Sequence, residues 1–436
     1  MVAGESLLIK NGTVITRISG KKIFKGNIYI EDNIIREIGS KKFSADNIID
    51  ATGKIVIPSL INAHSHMYGA YARGMSLKGE PPQNFIQILK KLWWMLDKKL
   101  TTKDIRLCTD ISAIEALKSG TTVIAEHHSS PYAVSGCLEI ISREWEKAGI
   151  TGSICYEVSD RDGEDIARKG IDENISFIKK HAGHQRIKGM FGLHASFTLG
   201  DETLARCVEA EAGHDVGFHL HVAEDKADNE KTQGFTGKRV VERLIDAGVL
   251  KKGTIAAHCI YIEESEIRLL QESGAFVVHN PESNMNNAVG VAPVEDMLRS
   301  GIVVGIGTDG MSFDMFAQAR AVYLLHKLNS QSPLAMPADM VIHMLFEHNR
   351  QIVCPNTGAI EAGRFADIVI LDYIPPTPLT ADNFPWHFIF GITKANVETV
   401  ISDGNIVVED KALKTLNEDE IMNKARKSAQ ELWDKL

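Results

Sequence analysis

Two histidines one residue apart, closing an apolar run, are the first residues in this chain with chemistry to offer: Asn62-Ala63-His64-Ser65-His66. Side chains two apart on a strand share a face, so both imidazoles can converge on one metal ion. A second run, Phe218-His219-Leu220-His221-Val222-Ala223-Glu224, offers His221 as a third ligand. It also puts a carboxylate, Glu224, where it could sit over a bound water. His219 reads better as a core histidine one layer lower, its ring hydrogen-bonded. Ala256-Ala257-His258-Cys259 and Gly305-Ile306-Gly307-Thr308-Asp309-Gly310 add His258 and Asp309, each ending an otherwise apolar stretch. Asp309 also has a plain reading as the cap of a following helix, but that reading leaves the other residues unexplained.

Such residues meet only if the elements beneath them bring them together. The middle of the chain alternates short, β-branched apolar runs with longer amphipathic stretches, the pattern of βα units in a parallel sheet. Eight such runs are centred on residues 54–64, 121–127, 151–158, 187–195, 216–224, 254–259, 276–280 and 303–309. Eight strands predict an α/β fold, a closed (β/α)8 barrel of the TIM type. His64, His66, His221, Glu224, His258 and Asp309 then fall at the C-terminal strand ends, where barrel enzymes build their sites. The stretch from Thr101 shows the helical signal: a capping box over Thr101-Thr102-Lys103-Asp104, apolar residues Ile105, Cys108, Ile111, Ile114 and Leu117 at helical spacing, and Gly120 to close it.

Both chain ends read as short strands. Leu7-Leu8-Ile9-Lys10 precedes a turn at Asn11-Gly12, and Asn27-Ile28-Tyr29-Ile30 precedes Glu31-Asp32-Asn33. Similar material returns over 366–372 and 397–408. We therefore expect residues 1–57 and 359–436 to form a composite β-sandwich domain, with an amphipathic C-terminal helix over 418–436. Residues 58–358 are expected to form the barrel.

The chain has 436 residues, 44% of them hydrophobic, enough to bury a barrel core and a smaller domain. A net charge of −9 excludes the basic face that a nucleic acid or an anionic membrane would need, and favours a small-molecule substrate. The N-terminus, Met1-Val2-Ala3-Gly4-Glu5-Ser6, lacks signal-peptide character, and no apolar run approaches a membrane span. Six cysteines, Cys108, Cys137, Cys155, Cys207, Cys259 and Cys354, are scattered singly, as suits buried, reduced thiols. A cytoplasmic protein is expected.

Several segments together carry a family resemblance: Pro58-Ser59-Leu60-Ile61-Asn62-Ala63-His64-Ser65-His66, Ser119-Gly120-Thr121-Thr122, His221-Val222-Ala223-Glu224, His258-Cys259, His279-Asn280-Pro281-Glu282-Ser283-Asn284, Gly307-Thr308-Asp309-Gly310 and Gly363-Arg364-Phe365-Ala366-Asp367. Over nearly its whole length the chain resembles the amidohydrolase superfamily, in its aminohydrolase and chlorohydrolase branch. Through Leu92-Trp93-Trp94-Met95-Leu96-Asp97 and Asn284-Met285-Asn286-Asn287-Ala288-Val289-Gly290 it is most similar to the SsnA group.

The resemblance implies one divalent ion, zinc first and iron second, held by His64, His66, His221 and Asp309. Glu224, His258 and Asp309 would be catalytic. Dinuclear relatives carry a carboxylated lysine on strand four, where this chain has Gly192-Leu193-His194-Ala195-Ser196-Phe197-Thr198, so a mononuclear site is expected. By the same resemblance His194 is a candidate substrate contact, with a packed structural histidine as the alternative.

A site with three imidazoles and a carboxylate leaves room for water and lowers its pKa toward about 7. Attack on an amidine-like ring carbon would expel ammonia, the reaction of a hydrolase acting on C–N bonds other than peptide bonds. Purines and pterins fit as substrates. Displacement of chloride is a second reading, and a catalytically silent scaffold barrel a third. Glu126, His127 and His128 could read the ring's edges or be loop residues without a role. The Trp93-Trp94 pair reads as helix packing over the barrel mouth. Loops 67–80, 129–134 and 311–318 should set substrate choice, and the resemblance implies a homo-oligomer, a dimer or larger.

Overall fold

The computed structural model of the chain describes residues 5–16, 22–41 and 43–436; Met1 to Gly4 of the N-terminal reading lie outside them. Among the described residues the strands form three hydrogen-bonded sheets. Two are parallel and come from the middle of the chain. One holds Leu60–Ser65, Thr121–His128, Thr151–Tyr156 and Ile187–Gly189; the other holds Phe191–Ala195, Phe218–Val222, Ile255–His258, Phe276–His279 and Val304–Ile306. Nearly every residue in them is buried, as expected for strands covered on both faces.

The fourth run links the two. Its first half pairs back to the third strand, Met190 passes between, and its second half pairs forward to the fifth. Parallel bridges from Val158 to Leu193 and from Ser65 to Asp309 join the sheets at both seams. All eight sequence-predicted runs are present in order, in an arrangement of the TIM-barrel type.

The first run departs from expectation, because what reads as one strand over 54–64 is two. Ile55–Pro58 pairs with Ser6–Ile15 and Ile368–Leu371 in the outer sheet, and only Leu60–Ser65 enters the barrel. Ser59 is the switch: its N–H donates to the Asp367 carbonyl at 3.0 Å, whereas the Leu60 N–H donates to Gly120 at 2.9 Å. Both pieces are buried and apolar, so hydrophobicity carries no mark of the break.

Among the described residues the third sheet has nine strands, drawn from both chain ends. Here the Asn11-Gly12 turn is overturned. The strand runs unbroken over Ser6–Ile15, and the pair makes an irregularity in its ladder with Ile23–Glu31, Asn11 sitting at φ 63°. A Cβ on Gly12 would lie 2.7 Å from Val56 Cγ2, so close packing is what asks for glycine there. Asp32 and Asn33, both at positive φ, make the expected tight turn.

The helix Thr102–Lys118 begins with the capping box on Thr101 and Asp104. The C-terminal helix Glu418–Trp433 packs on it, with Ser428 Oγ donating to Asp104 at 2.7 Å. All six cysteines are free thiols, and all but Cys354 are buried. No described helix is long and apolar enough to cross a membrane.

Candidate active site

Every sequence-predicted site residue reaches one end of the parallel strands. His64 and His66 end the first strand, His221 the fifth and His258 the sixth; Glu224 follows the fifth, Asp309 the eighth, and His194 lies near the end of the fourth. The backbone bends sharply at these exits. Ala223, His258 and Asp309 take left-handed conformations at φ 47°, 75° and 56°, costly for residues with a Cβ and typical of functional sites. The first and eighth strands must approach closely, since a Cβ on Gly307 would stand 2.9 Å from His64 Cβ.

The hydrogen bonds assign the histidine tautomers. His66 Nδ1–H donates to the His127 carbonyl at 2.6 Å and His221 Nδ1–H to the His194 carbonyl at 2.9 Å. His258 Nδ1–H donates to Asn284 Oδ1 at 2.8 Å. Each ring therefore turns its Nε2 inward. His66 Nε2 lies 3.1 Å from both His221 Nε2 and Asp309 Oδ1, and His64 Nε2 lies 3.8 Å from the same oxygen. His64 Nδ1 is taken by His219 at 2.7 Å, leaving His64 Nε2 buried without a hydrogen-bond partner. His219 is thus the ring-bonded core histidine that the sequence indicates.

Inward lone pairs 3.1 Å apart repel unless a cation or proton stands between them. Tetrahedral coordination at about 2.1 Å spaces its nitrogens by roughly 3.4 Å, close to what is found. The donor set fits a metal ion. Donor atoms of His64, His221, His258 and Asp309 lie within 4.8 Å of one another, and His66 groups with His127 and His221, so both His66 and His258 come within reach of the centre.

A layer of polar residues orients these groups. Ser283 Oγ donates to Asp309 Oδ2 and Asn284 holds His258, both from the short helix Pro281–Asn286. His258 Nε2 faces Glu224 at 3.6 Å and Asp309 at 3.7 Å. Burial, and then the neighbouring Asp309 carboxylate, push the Glu224 carboxyl well above its ordinary range. Burial alone would raise Asp309 too, but the His66 hydrogen bond and the surrounding imidazoles hold it far below.

The Amidohydrolase family model matches residues 55–407, which take in both the barrel and part of the outer sheet. The chain belongs to the amidohydrolase family. Among curated relatives, it is 33% identical to a 5'-deoxyadenosine deaminase of Methanosarcina mazei, over 98% of each chain. It is 31% identical to a 5-methylthioadenosine/S-adenosylhomocysteine deaminase of Pelotomaculum thermopropionicum, over 97% of this chain and 98% of the relative. The fold superposes on the zinc-bound crystal structure of an adenosine deaminase from Xanthomonas campestris with a TM-score of 0.86, at 20% identity and 99% coverage of both.

Above the cluster this amidohydrolase has a cavity of about 40 Å³, lined by His66, Tyr68, Glu157, His194, His221, Glu224, Asn287 and Asp309 and covered by Phe85, Leu89, Trp93 and Trp94. The covering helix contains a π-turn over Leu89–Trp93. The tryptophans therefore line the cavity as well as packing the helix. Of the loops expected to set specificity, 67–80 contributes Tyr68, whereas no residue of 129–134 or 311–318 lines the cavity.

His127 and His128 lie on the second strand, fully buried, and are not loop residues. Glu126 is not among the residues that line the cavity; its carboxylate accepts from Ser65 Oγ at 2.8 Å and from the Met67 N–H at 2.7 Å. The residue that sequence reasoning passed over is Glu157. It lies inside the third run, one residue past the strand Thr151–Tyr156, and no spacing in the sequence set it apart from the other acidic residues.

Proposed function

We propose that this amidohydrolase is a metal-dependent aminohydrolase that replaces the amino group of an aminated heterocycle, a purine, a pterin or a similar ring, with oxygen and releases ammonia. The carrying observation is the convergence of inward-facing imidazole nitrogens on Asp309, with a protonatable Glu224 beside them at the cavity floor. His64, His66, His221 and Asp309 would hold the ion. When bound, a single divalent cation, zinc ahead of iron, supplies the Lewis acidity that makes water a nucleophile at neutral pH.

Glu224 takes a proton from that water as it adds to the ring carbon and delivers it to the adjacent ring nitrogen. His258, whose Nδ1–H is held by Asn284, turns its Nε2 toward Glu224 and Asp309 and steadies the tetrahedral adduct by accepting a hydrogen bond from its hydroxyl. Asp309 accepts the remaining hydroxyl proton, which leaves with the amino group as ammonia. Names of relatives at 30–33% identity, all deaminases of adenosine derivatives, support this chemistry.

The test is ammonia release by zinc-loaded protein from a panel of aminated purines, pyrimidines and pterins. Glu224→Gln should lower kcat by at least about 1,000-fold with metal content unchanged. Activity surviving in that variant would remove Glu224 from the mechanism, and silence of the metal-loaded wild type across the panel would sink the reading.

The same proposal places the enzyme in the cytoplasm as a homo-oligomer. Trp386 and Phe390, each about half exposed, stack on one another beside Tyr323, and Leu328 on the same helix as Tyr323 is 78% exposed. Such an apolar surface supports burial against a second copy.

A further inference from the structure

Glu157 is a buried carboxylate at the cavity that the deamination steps do not use. We infer that the site takes a heterocycle with free N–H donors on the edge remote from the reacting carbon, read by the Glu157 carboxylate and the His194 imidazole. The inference rests on the deaminase reading and narrows it to bare amino- or oxo-purines of the guanine kind, as opposed to ring-N-substituted nucleosides.

Glu157 is anchored where the third strand ends, its N–H donating to the His128 carbonyl at 2.8 Å. Its side chain is 4% exposed and faces the cavity. The Arg161 guanidinium orients it from 3.9 Å, and His127 Nδ1, buried without a hydrogen-bond partner, lies 3.4 Å away. Both separations exceed a strong hydrogen bond, so the carboxylate retains accepting capacity. His127 cannot turn away, because its Nε2 lies 3.0 Å from the carbonyls of Leu193 and His219 and must carry the proton that serves them. Arg161 is committed in turn to Asp97 and Ser129.

His194 adds a second acceptor. The Thr198 hydroxyl donates to the Ala195 carbonyl at 3.0 Å, so His194 Nδ1–H donates to Thr198 Oγ1 at 2.7 Å. That leaves the lone pair of His194 Nε2 for the cavity. Glu157 and His194 thus present acceptors side by side, with no lysine or arginine among the described residues that line the cavity.

Away from C6 and its amino group, a 9-substituted adenine offers only ring acceptors and no N–H donor. Facing Glu157 and His194, these would leave buried groups unpaired on both sides, a large penalty. A free purine brings its imidazole N–H donor to the same place. A phosphate or carboxylate tail would be repelled by three lining carboxylates, and Trp93 and Trp94 suit a flat unsaturated ring.

The test compares rings that differ only in the donor, using zinc-loaded wild type and Glu157→Gln. Ammonia release from guanine against guanosine, and from adenine against 9-methyladenine and 5'-deoxyadenosine, should favour the N–H-bearing ring by at least about 100-fold in kcat/KM. Calorimetric binding of the product-like ring hypoxanthine should exceed that of 9-methylhypoxanthine by a similar factor. Glu157→Gln, which can turn an amide N–H to the ring, should shrink both ratios at least tenfold with bound metal unchanged.

Turnover without preference for the N–H-bearing ring, or equal affinity for the two hypoxanthines, overturns the inference while leaving the deaminase reading intact. So does a wild type holding two metal ions per chain where Glu157→Gln holds one, which would assign Glu157 to a second cation. Absence of turnover with the binding preference retained overturns the deaminase reading instead.

Discussion

At the scale of single residues, the site is defined by which nitrogen of each imidazole faces inward, and that depends on partners in other elements. His66 and His221 are fixed by backbone carbonyls, and His258 by the Asn284 side chain. Replacing a carbonyl is not open to mutation, but Asn284 is. Asn284→Ala leaves His258 Nδ1 without its acceptor and frees the ring to change tautomer. We expect kcat/KM to fall by about 10- to 100-fold while metal content and secondary structure stay as in wild type, the usual cost of losing an orienting partner. A variant that loses metal instead would show that Asn284 supports coordination. The sequence exposed His64, His66, His221, His258, Glu224 and Asp309 as polar residues closing apolar runs. It did not single out Ser283 or Glu157, because a serine on a one-and-a-half-turn helix and one more glutamate among 57 acidic residues carry no periodic signal.

At the scale of elements, the seam between the first and eighth strands decides whether the ligands meet. These strands do not share a regular ladder, and side chains stitch them together. Asn349 Nδ2 donates to the carbonyls of Ile61 at 2.6 Å and Ile306 at 2.9 Å, while its Oδ1 accepts the Ile306 N–H at 2.7 Å. Asn62 adds a second clip, with Nδ2 donating to Thr308 Oγ1 at 2.7 Å and Oδ1 accepting the Thr308 N–H at 3.1 Å. Asn349→Ala removes three buried hydrogen bonds and orphans their backbone partners. It should cost about 3 kcal/mol, read as a lowered denaturant midpoint. A loss below about 0.5 kcal/mol would mean that the Asn62 clip suffices. Strand existence was legible from apolar runs and helix starts from capping residues. The seam was not, because it joins residues 246 and 288 positions apart.

At the scale of the whole molecule, the parallel strands act as a rigid platform beneath a covered mouth, and the outer sheet grips the barrel where Ser59 changes partners. Trp386, Phe390 and Leu328 are among the exposed large apolar side chains of the described residues. Sedimentation at micromolar protein should give a species of at least twice the chain mass, and Leu328→Glu with Phe390→Glu should shift it toward the monomer with the fold retained. A wild type that sediments as a single chain would contradict the oligomer, and a double variant that stays assembled would place the interface elsewhere.

By itself the sequence determined the class of fold and the identity of the chemically able residues, because alternation of apolar runs and a polar residue at the end of each are local properties. Tertiary structure alone decided which imidazole nitrogens face one another, which carboxylates are raised or lowered, and which side chains close the cavity. Those outcomes depend on distances between segments far apart in the chain, and nothing in local spacing encodes such distances. For the same reason Glu157 became visible as a site residue only once the third and fourth strands placed it beside His127, Arg161 and His194.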